Sequence, residues 1–173
     1  MTVIDCDEAR HAAAILAILN EAIANSTALY DYAPRPLSSM SSWFAAKRAG
    51  DFPVLGIEDP AGQLMGFATY GSFRQFAAFK YTVEHSVYVH PDHRRQGVGR
   101  RLLTALIDRA RAQDLHLLVG ALDASNAASV ALHEGFGFVH AGTIPQAGFK
   151  FGRWLDLAFY QLRLATPAEP KDG

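Results

Sequence analysis

The segment that most constrains this chain is His90 to Arg100, HPDHRRQGVGR, which lies between an alternating strand and a strongly amphipathic helix. Thr82 to Val89 alternates with period two, the pattern of a half-buried strand. Gly97 to Gln113 repeats Val98, Leu102, Leu106 and Ala110 at helical spacing, a stripe widened by Leu103 and Ile107. A strand that turns through Gly97 and Gly99 into a helix gathers unpaired N–H groups and the positive end of the helix dipole at one point. Glycine also lets a ligand approach the backbone closely. Such a point suits an anion, most naturally a phosphate. Arg94, Arg95, Arg100 and Arg101 concentrate positive charge there. The P-loop pattern GxxxxGK[ST] is absent, and the dinucleotide pattern GxGxxG fails at Leu102. A lone GxG is equally compatible with a tight turn ahead of a solvated basic helix face.

The flanking sequence places this unit in an α/β mixed sheet. Thr2 to Cys6 is a short β-branched strand, and Asp7 is positioned to cap a helix from Glu8 to about Ile23, with Ala12, Ile15, Leu16, Leu19 and Ile23 on its apolar face. Pro34 and Pro36 forbid a regular helix between Asn25 and Leu37. Ser38 or Ser39 then caps a helix that carries Trp43 and Phe44 and ends at Gly50. Pro53 to Glu58 and Leu64 to Tyr70 form a hairpin across the turn Asp59-Pro60-Ala61-Gly62. An aromatic loop from Gly71 to Tyr81 leads to Thr82–Val89. After the glycine turn and its helix come an apolar strand, Leu115 to Leu122, and a short helix, Ser125 to Phe136. Gly137 to Thr143 and Arg153 to Leu164 are the last strands. Residues 1–164 read as one domain and 165–173 as a frayed, proline-containing tail.

Composition narrows the classes. With 173 residues, half of them hydrophobic, the chain can bury a core without disulfides or a structural metal. Its single cysteine, Cys6, excludes a disulfide framework and reads as packing. A net charge of −1 argues against a general nucleic-acid partner. No apolar run is long enough to span a membrane and the N-terminus has no signal-peptide pattern, so a cytoplasmic location is expected. His90, Asp92 and His93 form a turn around Pro91 with no further ligand in evidence, so no metal is expected.

Arg94-x-x-Gly97-x-Gly99, together with Asn126-Ala-Ala-Ser129 and Leu132-His-Glu-Gly-Phe-Gly-Phe138, resembles the cofactor segments of the GNAT N-acetyltransferases. Thr82–Val89 and Lys150-Phe-Gly-Arg-Trp-Leu-Asp156 are similar to the phosphinothricin and methionine sulfoximine acetyltransferases within that superfamily. The resemblance spans about residues 3 to 164. It implies the GNAT fold, a mixed and mostly antiparallel sheet flanked by helices, with acetyl-CoA as co-substrate. It implies an N-acetyltransferase acting on the α-amine of a small amino-acid-like acceptor. It also implies a homodimer, for which the aromatic stretch Phe149 to Tyr160 offers apolar surface.

Carried onto this sequence, the resemblance assigns the pyrophosphate to the backbone of Arg95, Gln96, Gly97, Val98, Gly99 and Arg100. It pairs Val87, Tyr88 and Val89 with the pantetheine arm and brings Asn126 to that arm, although Asn126 also suits a helix cap. Glu84, a carboxylate in a mostly apolar strand, is the candidate base, the alternative being a strand residue paired with Arg or Lys. His133 stands where many GNAT enzymes have tyrosine and is the candidate general acid, the alternative being a hydrogen-bonded helix histidine. Tyr30, Arg74, Gln75, Phe76, Glu84, His85 and Ser86 are the candidate acceptor contacts, with Arg74 suited to a carboxylate. A peptide N-terminus or polyamine as acceptor, and a non-catalytic CoA-binding module, are the alternative functions.

Overall fold

The fold, described for residues 1–172 by a computed structural model, has the expected order of elements. Strand β1 (Val3–Asp5) is followed by helices α1 (Glu8–Asn25) and α2 (Ser39–Ala49), then by strands β2 (Val54–Glu58), β3 (Leu64–Ser72) and β4 (Thr82–Val89). Helix α3 (Val98–Ala112), strand β5 (Leu117–Asp123), helix α4 (Ala127–Glu134) and strands β6 (Val139–Lys150) and β7 (Arg153–Arg163) complete it. The seven strands form one sheet in the order β1-β2-β3-β4-β5-β7-β6. Every neighbouring pair is antiparallel except β4 and β5.

The two apolar faces of the sheet follow from strand alternation. Val83, Ala68 and Tyr70 face α3, whose Val98, Leu102, Leu103, Leu106, Ile107 and Ala110 are all buried against them. Phe67 and Val54 face α1 and α2, where Ile15, Leu19, Met40 and Phe44 fill the second core. The Asp7 carboxylate caps α1 by accepting from the Arg10 amide at 2.8 Å.

Several boundaries differ from the sequence reading, each for a local reason. β3 runs on to Ser72 because Gly71 and Ser72 pair with Glu84 and Val83. Ser38 makes no side-chain cap; the α2 start is instead a turn in which the Ser39 amide and hydroxyl donate to the Pro36 carbonyl. α4 begins at Ala127 because Asn126 caps it, accepting from the Ser129 amide at 3.1 Å. β6 continues to Lys150, through Pro145. It lies at the sheet edge and is broken by two register shifts, settings in which a strand tolerates proline. Along this edge Val139, Ile144, Phe149, Phe151 and Trp154 are exposed. Tail residues Thr166 and Lys171 hydrogen-bond to Leu115 and Tyr81; Gly173 lies outside the described residues.

The loop from residue 26 to 38 is tied down by a buried lysine at the end of β6. Lys150, only 4% exposed, donates to the carbonyls of Ile23, Ser26 and Leu29 at 2.7–2.9 Å, one for each ammonium proton. Two of these carbonyls close the C-terminal end of α1, where a cation also meets the negative end of the helix dipole. Thr27 donates to Asp123 at 2.6 Å and Tyr32 to the Phe149 carbonyl at 2.7 Å, so the loop is fixed against β5 and β6. Lys150→Met removes all three donors and leaves buried carbonyls without partners. We expect a loss of about 2–4 kcal/mol in urea unfolding, with faster proteolysis within residues 26–38. A change below about 0.5 kcal/mol with the loop still protected would contradict this role.

Candidate active site

β4 and β5 pair only at their first residues, Thr82, Val83 and Glu84 with Leu117, Leu118 and Val119. Beyond Glu84 the strands separate, and a cavity of about 80 Å³ opens between them, lined by Val87, Tyr88, Ala121, Asn126, Ser129 and Leu132 among others. The β3–β4 ladder decides which backbone groups face this gap. The Thr82 carbonyl accepts from Phe73 and the His90 amide donates to Met65, so even-numbered residues of β4 turn toward β3. Alternation then turns the amides and carbonyls of Val87 and Val89 into the gap, while those of Tyr88 serve β3.

At the end of β4 the chain enters the glycine turn. Gly97 has φ +81° and Arg95 φ +60°, so two left-handed residues fold the turn back on itself. A Cβ at Gly97 would meet nothing within 4 Å; glycine is needed there for its conformation, not for want of room. The first helical bond runs from the Arg101 amide to the Gly97 carbonyl at 3.1 Å, leaving the amides of Val98, Gly99 and Arg100 ahead of it at the positive end of α3. Arg94 is bound by Glu21 at 2.7 Å and Arg100 stacks over Phe136, so their charges border the turn from fixed positions. These features fit a diphosphate at the turn and an extended arm along β4.

Alternation divides the candidate residues of β4 between the two faces. Glu84, Ser86 and Tyr88 point toward α1 and α2, and Tyr88 packs on Phe67 at 5.4 Å between ring centres. Glu84 is half-buried, and burial raises its pKa while the nearby Arg74 guanidinium lowers it. Arg74 itself stacks on Phe73 at 4.1 Å and donates to the Phe73 carbonyl. With Gln75 and Phe76 it lines a separate depression of about 350 Å³ beside the start of β4, not the cavity between the strands. Tyr30, on the loop of residues 26–38, is partly exposed, and burial and Asp123 raise its pKa.

His85 lies on the opposite face, packed against His133 of α4. Their Nε2 atoms are 2.9 Å apart, and His133 Nδ1 lies 2.7 Å from the Ser129 carbonyl. His133 must therefore donate from Nδ1, and a proton must lie on the Nε2–Nε2 axis for the two rings to stand so close. Burial lowers both pKa values, that of His85 to about 3, so the pair is neutral near pH 7. Both nitrogens of His133 are thus engaged, and as a general acid it would have to break one of these bonds. The pair sits over Gly120, where a Cβ would come within 3.0 Å of both rings. That glycine, alone in an apolar strand, was the sequence signal for a close approach, and the sequence reading passed over it.

Two more groups escaped the sequence reading. Asp123, at the mouth of the gap, accepts from Thr27, Ser125 and Arg153. Burial raises its pKa, but those hydrogen bonds outweigh it and hold the carboxylate below its usual range. Lys47 of α2 is a half-buried amine on the same side of the sheet as Glu84. No group of three or more His, Cys, Asp or Glu that could hold a metal occurs among the described residues, and no helix there is long and apolar enough to cross a membrane.

Comparison with known proteins agrees with this geometry. Residues 16–138 match the model of the acetyltransferase (GNAT) family. An L-methionine sulfoximine/L-methionine sulfone acetyltransferase of Pseudomonas paraeruginosa is 51% identical over 150 residues, 87% of each chain. A phosphinothricin N-acetyltransferase of Alcaligenes faecalis is 37% identical over 149 residues, 86% of this chain and 75% of the relative. The crystal structure of a phosphinothricin acetyltransferase from Sinorhizobium meliloti in complex with acetyl-CoA superposes with a TM-score of 0.93 at 31% identity, covering 99% of this chain and 92% of that one. With the split β4–β5 pair and the glycine turn at its mouth, these matches make the chain a member of the GNAT acetyltransferase family.

Proposed function

We propose that the protein moves an acetyl group from acetyl-CoA to the α-amine of a small amino-acid-like acceptor of the methionine sulfoximine, methionine sulfone or phosphinothricin kind. The observation that carries this reading is the end of the β4–β5 ladder at Glu84, which leaves the Val87 backbone groups facing a cavity, while Val89 and Leu132, which also lines the cavity, stand beside Gly99 of the glycine turn. The names of the relatives support the acceptor class.

In this reading the amides from Arg95 to Arg100 hold the pyrophosphate and the inward-facing groups of Val87 and Val89 hold the pantetheine arm, with Asn126 bordering it. Bound acetyl-CoA supplies the activated acetyl thioester. The Val87 amide, set in the gap, is positioned to donate to the thioester oxygen. Glu84 accepts the proton of the attacking amine. Burial brings its carboxylate closer to the working pH of a base, and Arg74 keeps it ionised. Arg74 is also the cation available to the acceptor carboxylate, with Gln75, Phe76, Tyr30 and Ser86 as further contacts. His85 turns away from that side, so with His133 it forms a neutral back wall for the thiol end of the gap.

Two variants separate these roles. Glu84→Gln should lower kcat/KM for methionine sulfoximine by about 10²–10⁴-fold at pH 7 and leave acetyl-CoA binding intact. Because a protonated Glu84 cannot accept a proton, wild-type activity should fall as pH drops through a pKa above 4.5, and this limb should be absent from Glu84→Gln. Near wild-type turnover of Glu84→Gln at pH 7 would remove Glu84 as the base. Gly97→Val forces a branched residue into φ +81° and sets its side chain where the diphosphate would lie. Calorimetry should show acetyl-CoA affinity reduced by about tenfold or more; unchanged affinity would refute the assignment of the turn.

A further inference from the structure

Asp123 ends β5 and lines the cavity between β4 and β5, yet none of the steps proposed for the reaction uses its carboxylate. We infer that Asp123 is a positioning residue for the acceptor: through Thr27 it fixes the segment that sets Ala28 and Tyr30 at the mouth of the gap. The inference rests on the acetyltransferase reading above and deepens it, naming what holds the acceptor's side of the site in place.

Asp123 is only 4% exposed, and both of its carboxylate oxygens are in use. Oδ1 accepts from the Ser125 amide at 2.9 Å and from the Ser125 hydroxyl at 2.8 Å. Oδ2 accepts from the Thr27 hydroxyl at 2.6 Å and from Arg153 Nη2 at 3.0 Å. Four donors on two oxygens need a carboxylate; an asparagine would turn its own NH₂ group toward one of the two pairs. Burial works against the charge, but the hydrogen bonds prevail and hold the carboxyl below its usual range, whereas burial raises Glu84. Asp123 therefore stays ionised throughout the range in which Glu84 titrates.

The other end of the bond lies in the loop of residues 26–38. Lys150 takes the carbonyls of Ser26 and Leu29, and between them the Thr27 hydroxyl is tied to β5. The Ala28 amide donates to the Ser26 hydroxyl at 3.2 Å, and that hydroxyl donates to the Ala22 carbonyl at 2.8 Å. Each residue from 26 to 29 is thus held, and Ala28 lines the cavity beside His85, Ser86 and Val87. Tyr30 follows at once; burial and then the Asp123 charge raise its pKa, so the phenol stands within the field of the carboxylate. Further along the loop, Arg35 and Asp31 act on Tyr88, which burial pushes up to about 12 and on which Glu84 also acts. The loop therefore borders the face of β4 that carries Glu84, and the Thr27–Asp123 bond joins it to β5, the other strand of the gap. A positioning group displaced by about 1 Å can cost about 10²-fold in rate.

The test measures thiol release from acetyl-CoA with the fastest of methionine sulfoximine, methionine sulfone and phosphinothricin as acceptor, in wild type, Thr27→Val, Thr27→Ser and Asp123→Asn. Acetyl-CoA affinity is followed by calorimetry. Thr27→Val and Asp123→Asn should raise the acceptor KM by about tenfold or more and leave acetyl-CoA affinity within about twofold. Thr27→Ser keeps the hydroxyl and should hold the KM within about threefold of wild type. The acidic limb of the pH profile should persist in all three variants, because Glu84 is untouched. Hydrogen exchange at residues 27–30 should quicken in Thr27→Val, a readout independent of turnover. An unchanged acceptor KM or unchanged exchange in Thr27→Val would overturn the inference and leave the acetyltransferase reading in place. So would a KM no better in Thr27→Ser than in Thr27→Val, or a loss of acetyl-CoA affinity as large as the rise in acceptor KM. No thiol release by the wild type with any of the three acceptors would instead refute that reading, and this role with it.

Discussion

The early end of the β4–β5 ladder is the feature on which the rest of this molecule depends. A parallel pair buried in a sheet normally satisfies its backbone groups along its whole length. Here three residues pair and the strands then part, leaving the Val87 and Val89 amides and carbonyls without a strand partner. The Val89 carbonyl accepts from Arg94 Nε at 3.4 Å; leaving the other groups unpaired is costly, so the opening is stable only where water or a ligand meets them. α4 occupies the far side of the opening, and the His85–His133 contact over Gly120 joins that helix to both strands. The glycine turn lies where β4 ends, so one strand borders the opening and leads into the turn.

The two faces of β4 carry opposite electrostatic characters. Toward α3 and α4 the histidine pair is driven neutral by burial, and the surroundings are apolar. Toward α1 and α2 stand Glu84, with its raised pKa, and Lys47, with its lowered one, while Arg74 acts on Glu84. Burial disfavours the charged form of both groups and so shifts their pKa values toward the neutral range. The loop of residues 26–38 closes over part of this side. Its position is set from β5 and β6, by Asp123, Lys150 and the Phe149 carbonyl.

Much of this was legible in the sequence because it rests on short-range periodicity. The six apolar positions of α3 and the strand–turn–helix at Gly97 follow from spacing alone, and the order of elements holds throughout. Glu84 stood out because a carboxylate in an apolar strand is costly without a purpose. What was not legible depends on contacts between residues distant in sequence. Lys150 reaches carbonyls more than 120 positions away, and Lys47 meets the end of β3 only because β2 stops short. The continuation of β6 through Pro145 was hidden because proline signals a break unless the strand is known to be an edge. The separation of His85 from Glu84 and Ser86 was implicit in alternation, yet their adjacency in sequence suggested a common site.

The central claim is that β4 offers its odd-numbered backbone groups to the cofactor arm. Backbone amide NMR of the protein titrated with coenzyme A tests it residue by residue. The amides of Val87 and Val89 should shift strongly and gain protection from hydrogen exchange, together with those from Gly97 to Arg100, while the Tyr88 amide, bonded within the sheet, should change little in protection. Binding of coenzyme A that leaves Val87 and Val89 unprotected would contradict the account.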